Sequence, residues 1–325
     1  MNKSQEMKKE IKNDKVEILR DLVYKSVNGN PLFVDLYLPK GSQSSLPVII
    51  WLHGGGWRLG DRNLGPDLSR FFAEKGFAMA SIEYRLSTEA TFPAQIHDVK
   101  AAIRWLRSVS DQYGLDPHHI GLWGSSSGGH LASLVATSGV GMLEEENIEN
   151  SEYSCEVQAV VNGYGPIDFL QMDDHREAAD VKSVDPESTL LPEKMLSSSP
   201  DSFESLFLGA PINTCPEKVK GANPISYITK GTPPFFILHG LSDTAVPVHQ
   251  SYLLYDALAN KGNPVTMITI EGLGHGFLNR DDLDQSGCEI ANLQISNIND
   301  NDSLYVGKPM TFQIVEEFFR QNLRG

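Results

Sequence analysis

The chain has 325 residues and a formal net charge of −15, from 42 acidic and 27 basic side chains. That balance excludes a nucleic-acid binder, which needs a basic footprint, and disfavours an anionic membrane surface or a strongly anionic substrate. At 40% hydrophobic residues the sequence can build a large core, so disorder is not the expectation.

Residues 1–16 are charged and aperiodic and read as a flexible lead-in to one domain over 17–325. No apolar run of a secretory leader follows them. A cytoplasmic protein is therefore the default expectation, although a secreted form with its leader removed would read the same. Leu32, Val34, Leu36 and Leu38 alternate along PLFVDLYLP, the pattern of a strand with one buried face. LPVIIWLH is a continuous apolar run, as expected of a strand buried on both sides, and GFAMASIEY and HIGLWG look similar. Between these two, Ile96, Val99, Ile103, Leu106 and Val109 fall at helical spacing, and Pro93 suits a first turn. HLASLVATSG reads as a second helix. VQAVVNGYG and PFFILHG then read as strands, VPVHQSYLLYDALANKG as a helix, NPVTMITIEG as a strand and MTFQIVEEFFRQNL as a helix. Alternation of this kind predicts an α/β fold, a mostly parallel central sheet with helices on both faces.

Two stretches break the rhythm. Residues 166–233 hold no clear strand and are rich in Ser, Pro, Asp and Glu, which predicts a cap inserted over the sheet edge. Residues 279–306 read as a second irregular, acidic segment. The longest apolar run, Val48 to Leu52, is too short to span a membrane. Cys155, Cys215 and Cys288 are odd in number and far apart, so they read as free thiols, with one pair able to bond in an oxidising compartment.

The chemistry begins at Gly124-Ser125-Ser126-Ser127-Gly128. Only Ser126 has glycine at both i−2 and i+2, and the flanking strand and helix supply the strand–turn–helix that a G-x-S-x-G nucleophile elbow requires. The turn holds its serine at positive φ, and side chains two residues away on either side would collide. Ser125 carries no chemical assignment beyond being small.

A serine nucleophile needs a base and an orienting acid. His275, in EGLGHGF just after a strand, is the candidate base. His53 belongs to a glycine motif, His130 faces along the helix, His239 ends a strand and reads as buried and structural, and His118 and His119 precede a strand on the far edge. His97, His175 and His249 read as generic polar positions. Asp243, in ILHGLSDTAVP, is the candidate acid because it follows the C-terminal end of a strand. Asp168 is the runner-up and could instead cap a helix. HGGGW, His53 to Trp57, follows the strand PVIIWL and can turn bare backbone N–H groups towards one point. Gly55 and Gly56, with the Ser127 N–H, are assigned to an oxyanion hole. Trp57 and Tyr164 are candidate walls of the acyl and alcohol pockets. DLDQSG, Asp282 to Gly287, begins like a calcium loop, but Leu293 stands where a glutamate is needed, so an acidic loop is expected and no metal site.

HGGGW, GSSSG, HGLSD and GHGF, in this order, resemble the α/β-hydrolase esterases of the hormone-sensitive-lipase-like kind. GWRLGDR, IEYRLS, FPAQIHDVKAAIRWLR and ANPISYI…PPFFILHG extend the likeness, over roughly residues 30–322, to bacterial carboxylesterases grouped with bifunctional feruloyl/acetylxylan esterases. The resemblance implies the α/β-hydrolase fold, a cap at 166–233, and a cofactor-free carboxylic ester hydrolase. Its substrates would be short acyl or hydroxycinnamoyl esters, on small molecules or carbohydrates. An amidase, arylformamidase or peptidase on the same fold is the alternative. A non-catalytic binding protein would not need all four motifs.

Overall fold

The computed structural model describes residues 14–42, 45–178, 196–296 and 305–323. In chain order the elements are β1 (Val16–Val27), β2 (Asn30–Pro39), β3 (Leu46–Leu52), α1 (Leu68–Phe71), β4 (Ala78–Ile82), α2 (Ala94–Ser108) and α3 (Ser110–Tyr113). Then follow β5 (Leu115–Ser125), α4 (Ser127–Ser138), β6 (Ala159–Gly163), α5 (Met172–Ala178), α6 (Phe203–Leu208) and α7 (Pro216–Ala222). The chain closes with β7 (Phe235–Gly240), α8 (His249–Asn260), β8 (Val265–Ile270), β9 (Ile290–Ser296) and α9 (Phe312–Leu323).

The strands form a single sheet in the order β1-β2-β4-β3-β5-β6-β7-β8-β9. Strands β4, β3, β5, β6, β7 and β8 are parallel neighbours, while β1, β2 and β9 join antiparallel at the edges. Side chains of β3 divide with period two. Val48, Ile50 and Leu52 join the core beneath α2, α4 and α8, whereas Ile49 and Trp51 join the one beneath α1 and α9. A strand apolar on both faces needs helices on both, as its unbroken hydrophobic run predicted.

Two boundaries differ from the sequence reading. Residues 1–13 of the expected lead-in lie outside the described residues, but Val16 opens β1, which was not anticipated. The reason is that β1 is an outer strand with a register shift between Leu19 and Leu22, where Asp21 has positive φ. A bulge breaks the alternation that marks a strand. Likewise the segment 279–306 contains β9, whose Asn292 and Gln294 face solvent. One apolar face and one polar face suffice at an edge, and flanking acidic residues hid that pattern. Residues 179–195 of the expected cap lie outside the described residues; its described remainder contains short helices and no strand.

Charged side chains tie the edge to the body. Asp98 on α2, with 0% exposure, receives Nε and Nη2 of Arg85 at 2.8 Å each and Lys25 Nζ of β1 at 3.0 Å. Lys25 also reaches Glu145 at 2.7 Å. Removing one partner of such a buried cluster strands the rest without compensation. Asp98→Ala is therefore expected to cost about 3–5 kcal/mol in urea unfolding, against less than about 1 kcal/mol for the surface pair change Glu74→Ala.

Candidate active site

Five loops converge at the C-terminal edge of the parallel strands. HGGGW follows β3, Ser126 follows β5, Tyr164 follows β6, Asp243 follows β7 and His275 follows β8. Backbone bonds splice them: Ser126 N donates to Gly163 O and Tyr164 N to Leu238 O, both at 2.8 Å, and Ser242 N donates to Leu273 O at 2.9 Å.

Ser126 sits between β5 and α4 with φ 53° and ψ −123°. The turn closes so tightly that a Cβ on Gly124 would stand 2.2 Å from Gly128 O, and one on Gly128 would stand 2.1 Å from Leu52 O. No side chain fits either place, which is the physical content of the G-x-S-x-G spacing. Ser126 Oγ lies 2.8 Å from His275 Nε2, and His275 Nδ1 lies 2.8 Å from Asp243 Oδ2. The structure thus brings together the three residues singled out in the sequence. It does not bring Asp168 to them: that carboxylate caps a short helical turn, accepting from Leu170 N at 3.1 Å.

Asp243 is 3% exposed, yet its carboxylate is fully engaged. Oδ1 accepts from Ala245 N and Val246 N at 2.9 Å each. Burial opposes its ionisation, but attraction to His275 and hydrogen bonds from His239 and His275 outweigh that and hold it well below the usual carboxylate range.

The glycine run adjoins the elbow. A Cβ on Gly54 would meet Ser126 Cβ at 3.3 Å. Gly55 (φ 116°), Gly56 (φ 61°) and Trp57 (φ 56°) all have positive φ. Among the described residues, the Gly55 and Gly56 N–H groups donate to no backbone or side-chain acceptor. Ser127, the first residue of α4, has an N–H without an acceptor in its own helix.

Trp57 and Tyr164 require a correction. Both are buried, at 1% and 0% exposure, and offer no wall to a ligand. Trp57 stacks on Phe207 and donates Nε1 to His130 Nδ1 at 3.2 Å, because the strained HGGGW turn drives its ring inward. Tyr164 packs edge-on against His275 with centroids 4.8 Å apart, and its hydroxyl accepts from Leu278 N.

Sequence reasoning missed several neighbours. His130 is not merely aligned along α4; since Nδ1 accepts from Trp57, Nε2 donates to Ala222 O at 2.7 Å, so one ring joins glycine run, elbow helix and insertion. Phe203 of α6 lies against Gly56, where an added Cβ would come within 2.6 Å of its ring. Arg176 of α5 donates to Ala245 O at 2.9 Å. Ser125 Oγ donates to Asn279 Oδ1 at 3.0 Å, coupling the elbow to the His275 loop. His239 stands 3.3 Å from Asp243 Oδ2. Its spacing of four residues from Asp243 was a usable signal; contacts made by the insertion had none. All three cysteines are free thiols. In DLDQSG, Asp282 pairs with Arg280, and Asp284 accepts from Phe312 N at 2.7 Å.

A family model described as BD-FAE matches residues 34–258. The chain belongs to the BD-FAE family. This is the group that the four motifs resemble, and the nine-stranded sheet is its α/β-hydrolase fold. The esterase LipC of Mycobacterium tuberculosis is 32% identical over 71% of this chain and 53% of its own length. A truncated carbohydrate esterase from gut microbiota superimposes with a TM-score of 0.75 at 26% identity, covering 96% of this chain and 98% of that one. A bifunctional GH43-CE protein of Bacteroides eggerthii gives 0.68 at 32% identity, covering 81% of this chain and 33% of that one. The chain spans about half the length of the curated relatives it matches. No described helix is long and apolar enough to cross a membrane.

Two buried imidazoles flank the site. Burial lowers both His53 and His130 to about 4. The unfolded chain takes up these protons near pH 6.5 and the folded chain only near 4, so stability falls as pH drops through that window. Urea unfolding at pH 7 and 4.5 is expected to show about 2–3 kcal/mol lost per histidine. In His130→Leu that pH-dependent loss shrinks by one such increment.

Proposed function

We propose that the chain is a serine carboxylesterase acting through Ser126, His275 and Asp243. The observation that carries this is the continuous hydrogen-bonded line from Ser126 Oγ through His275 to the buried Asp243, with unpartnered glycine N–H groups beside it. His275 Nε2 takes the Ser126 proton as Oγ attacks the ester carbonyl. Asp243 holds the Nδ1–H tautomer and stabilises the imidazolium while staying ionised. The oxyanion rests on the N–H groups of Gly55, Gly56 and Ser127, each worth roughly 3 kcal/mol in the transition state. His275 returns its proton to the departing alkoxide, and water then attacks the acyl-enzyme by the same route.

The substrate class is short acyl or hydroxycinnamoyl esters, including those on carbohydrate. The names of the structural relatives, a carbohydrate esterase and a GH43-CE protein, support it. Residues 166–233 serve as the cap of a single domain over 17–325. In place of Trp57 and Tyr164, Phe203 is a side chain of that cap which, among the described residues, lies against the oxyanion loop at Gly56.

Ser126→Ala is expected to lower kcat by roughly 10⁵-fold with the fold intact. The assay panel is p-nitrophenyl esters of graded chain length, methyl ferulate, acetylated xylan and N-formylkynurenine. Activity persisting in Ser126→Ala overturns the mechanism, and preference for the formamide overturns the ester assignment. Phe203→Ala is expected to shift the preferred acyl length upward by at least two carbons, read from kcat/KM across the p-nitrophenyl series.

A further inference from the structure

His239 is wholly buried and lies outside the proton path just described. Its ring is nonetheless fixed at both nitrogens. Nε2 lies 2.9 Å from Val246 O and 3.3 Å from Asp243 Oδ2. Both are acceptors, so Nε2 carries the hydrogen and shares it between them. Nδ1 lies 2.7 Å from Ser251 Oγ on α8, and a serine hydroxyl can donate to it. The ring is thereby held in one defined orientation, with Nε2 as the donor and Nδ1 as the acceptor.

The consequence falls on Asp243. Its Oδ1 is pinned by Ala245 N and Val246 N, and its Oδ2 is flanked by His275 Nδ1 and His239 Nε2. Tyr164 lies edge-on to both imidazoles, 4.8 Å from His275 and 6.4 Å from His239, and keeps them apart. Without His239, the oxygen that orients His275 would have one donor instead of two, and the carboxylate could swing about its last torsion. Misplacing a reacting group by about 1 Å costs on the order of 10²-fold.

The geometry points to His239 as a positioning residue: together with Ser251 it forms a second imidazole brace that holds Asp243 Oδ2 in line with His275. This rests on the triad assignment above. The brace comes from two elements, the end of β7 and the first turn of α8, so the orientation of the acid depends on how α8 packs against the sheet.

The test uses the full chain, with active sites counted by fluorophosphonate labelling run to completion, so that misfolded protein drops out of the rate. His239→Leu is expected to lower kcat per labelled site by about tenfold or more with KM within about twofold. His239→Gln, whose Nε2 can donate from a similar position, is expected to recover to within about threefold of wild type. Ser251→Ala, a small change that frees the tautomer, is expected to lower kcat per site by about threefold or more in the same sense. Wild-type kcat per site in both His239→Leu and Ser251→Ala overturns the brace, as does a change confined to KM. If His239→Leu does not fold, Ser251→Ala decides alone. Ser126→Ala separates the two levels: activity remaining there removes the triad, whereas a dead Ser126→Ala beside unaffected His239→Leu and Ser251→Ala removes only the brace.

Discussion

Between Gly124 and Gly128 the backbone turns from strand to helix in so little space that atoms two residues apart on either side of Ser126 nearly touch. A Cβ on Gly124 would lie 2.2 Å from Gly128 O. Everything else at this edge is arranged around that crowding. The turn lifts Ser126 above the sheet at φ 53°, a cost of about 1–3 kcal/mol for a non-glycine residue that only surrounding structure can offset. The surroundings do so through a bond from Ser126 N to Gly163 O and through α4, of which nearly every residue is buried. The same strain recurs at Trp57 and Tyr164, the other non-glycine residues of the site with positive φ.

Electrostatics follows from burial. Asp243 lies where an isolated carboxylate would be neutral, and it is kept ionised by four converging donors. The histidines of the site divide by partner. His275 faces the carboxylate and the serine; His53 and His130 face a carbonyl or an indole and stay neutral. One residue type is thus put to different ends by the hydrogen-bond partners of its ring nitrogens.

The parallel core and the five loops at its edge were legible in sequence because both rest on short-range signals. Unbroken apolar runs such as VIIWL mark buried strands, and glycine at fixed offsets marks Ser126 and the HGGGW turn. Edge strands were not legible. In β1 a bulge at Asp21 interrupts the alternation, and in β9 a short strand with Asn292 and Gln294 on its exposed face is flanked by acidic residues. The inward turn of Trp57 was hidden too, since its burial depends on Phe207, which is 150 positions along the chain and within a segment with no periodicity. His239 was within reach, since it lies four residues from Asp243 and a tight loop returns its side chain to that neighbour, whereas Asn279 meets Ser125 across 154 positions and left no local signal.

The insertion leaves the sheet after β6 and re-enters it before β7, and both strands end at the site. Its two ends are fastened separately. Ile167 N and Asp168 N donate to Gln250 Oε1 at 2.8 and 2.7 Å, and Ala222 O receives His130 Nε2. Between those fastenings Phe207 stacks on Trp57 and Arg176 donates to Ala245 O, so the insertion also grips the glycine run and the loop of the acid. The scaffold therefore divides two tasks between two kinds of backbone: the edge that holds Ser126, Asp243 and His275 is locked by close packing in the sheet, while the segment bearing Phe203 and Phe207 is laid over that edge and held by its own side-chain contacts.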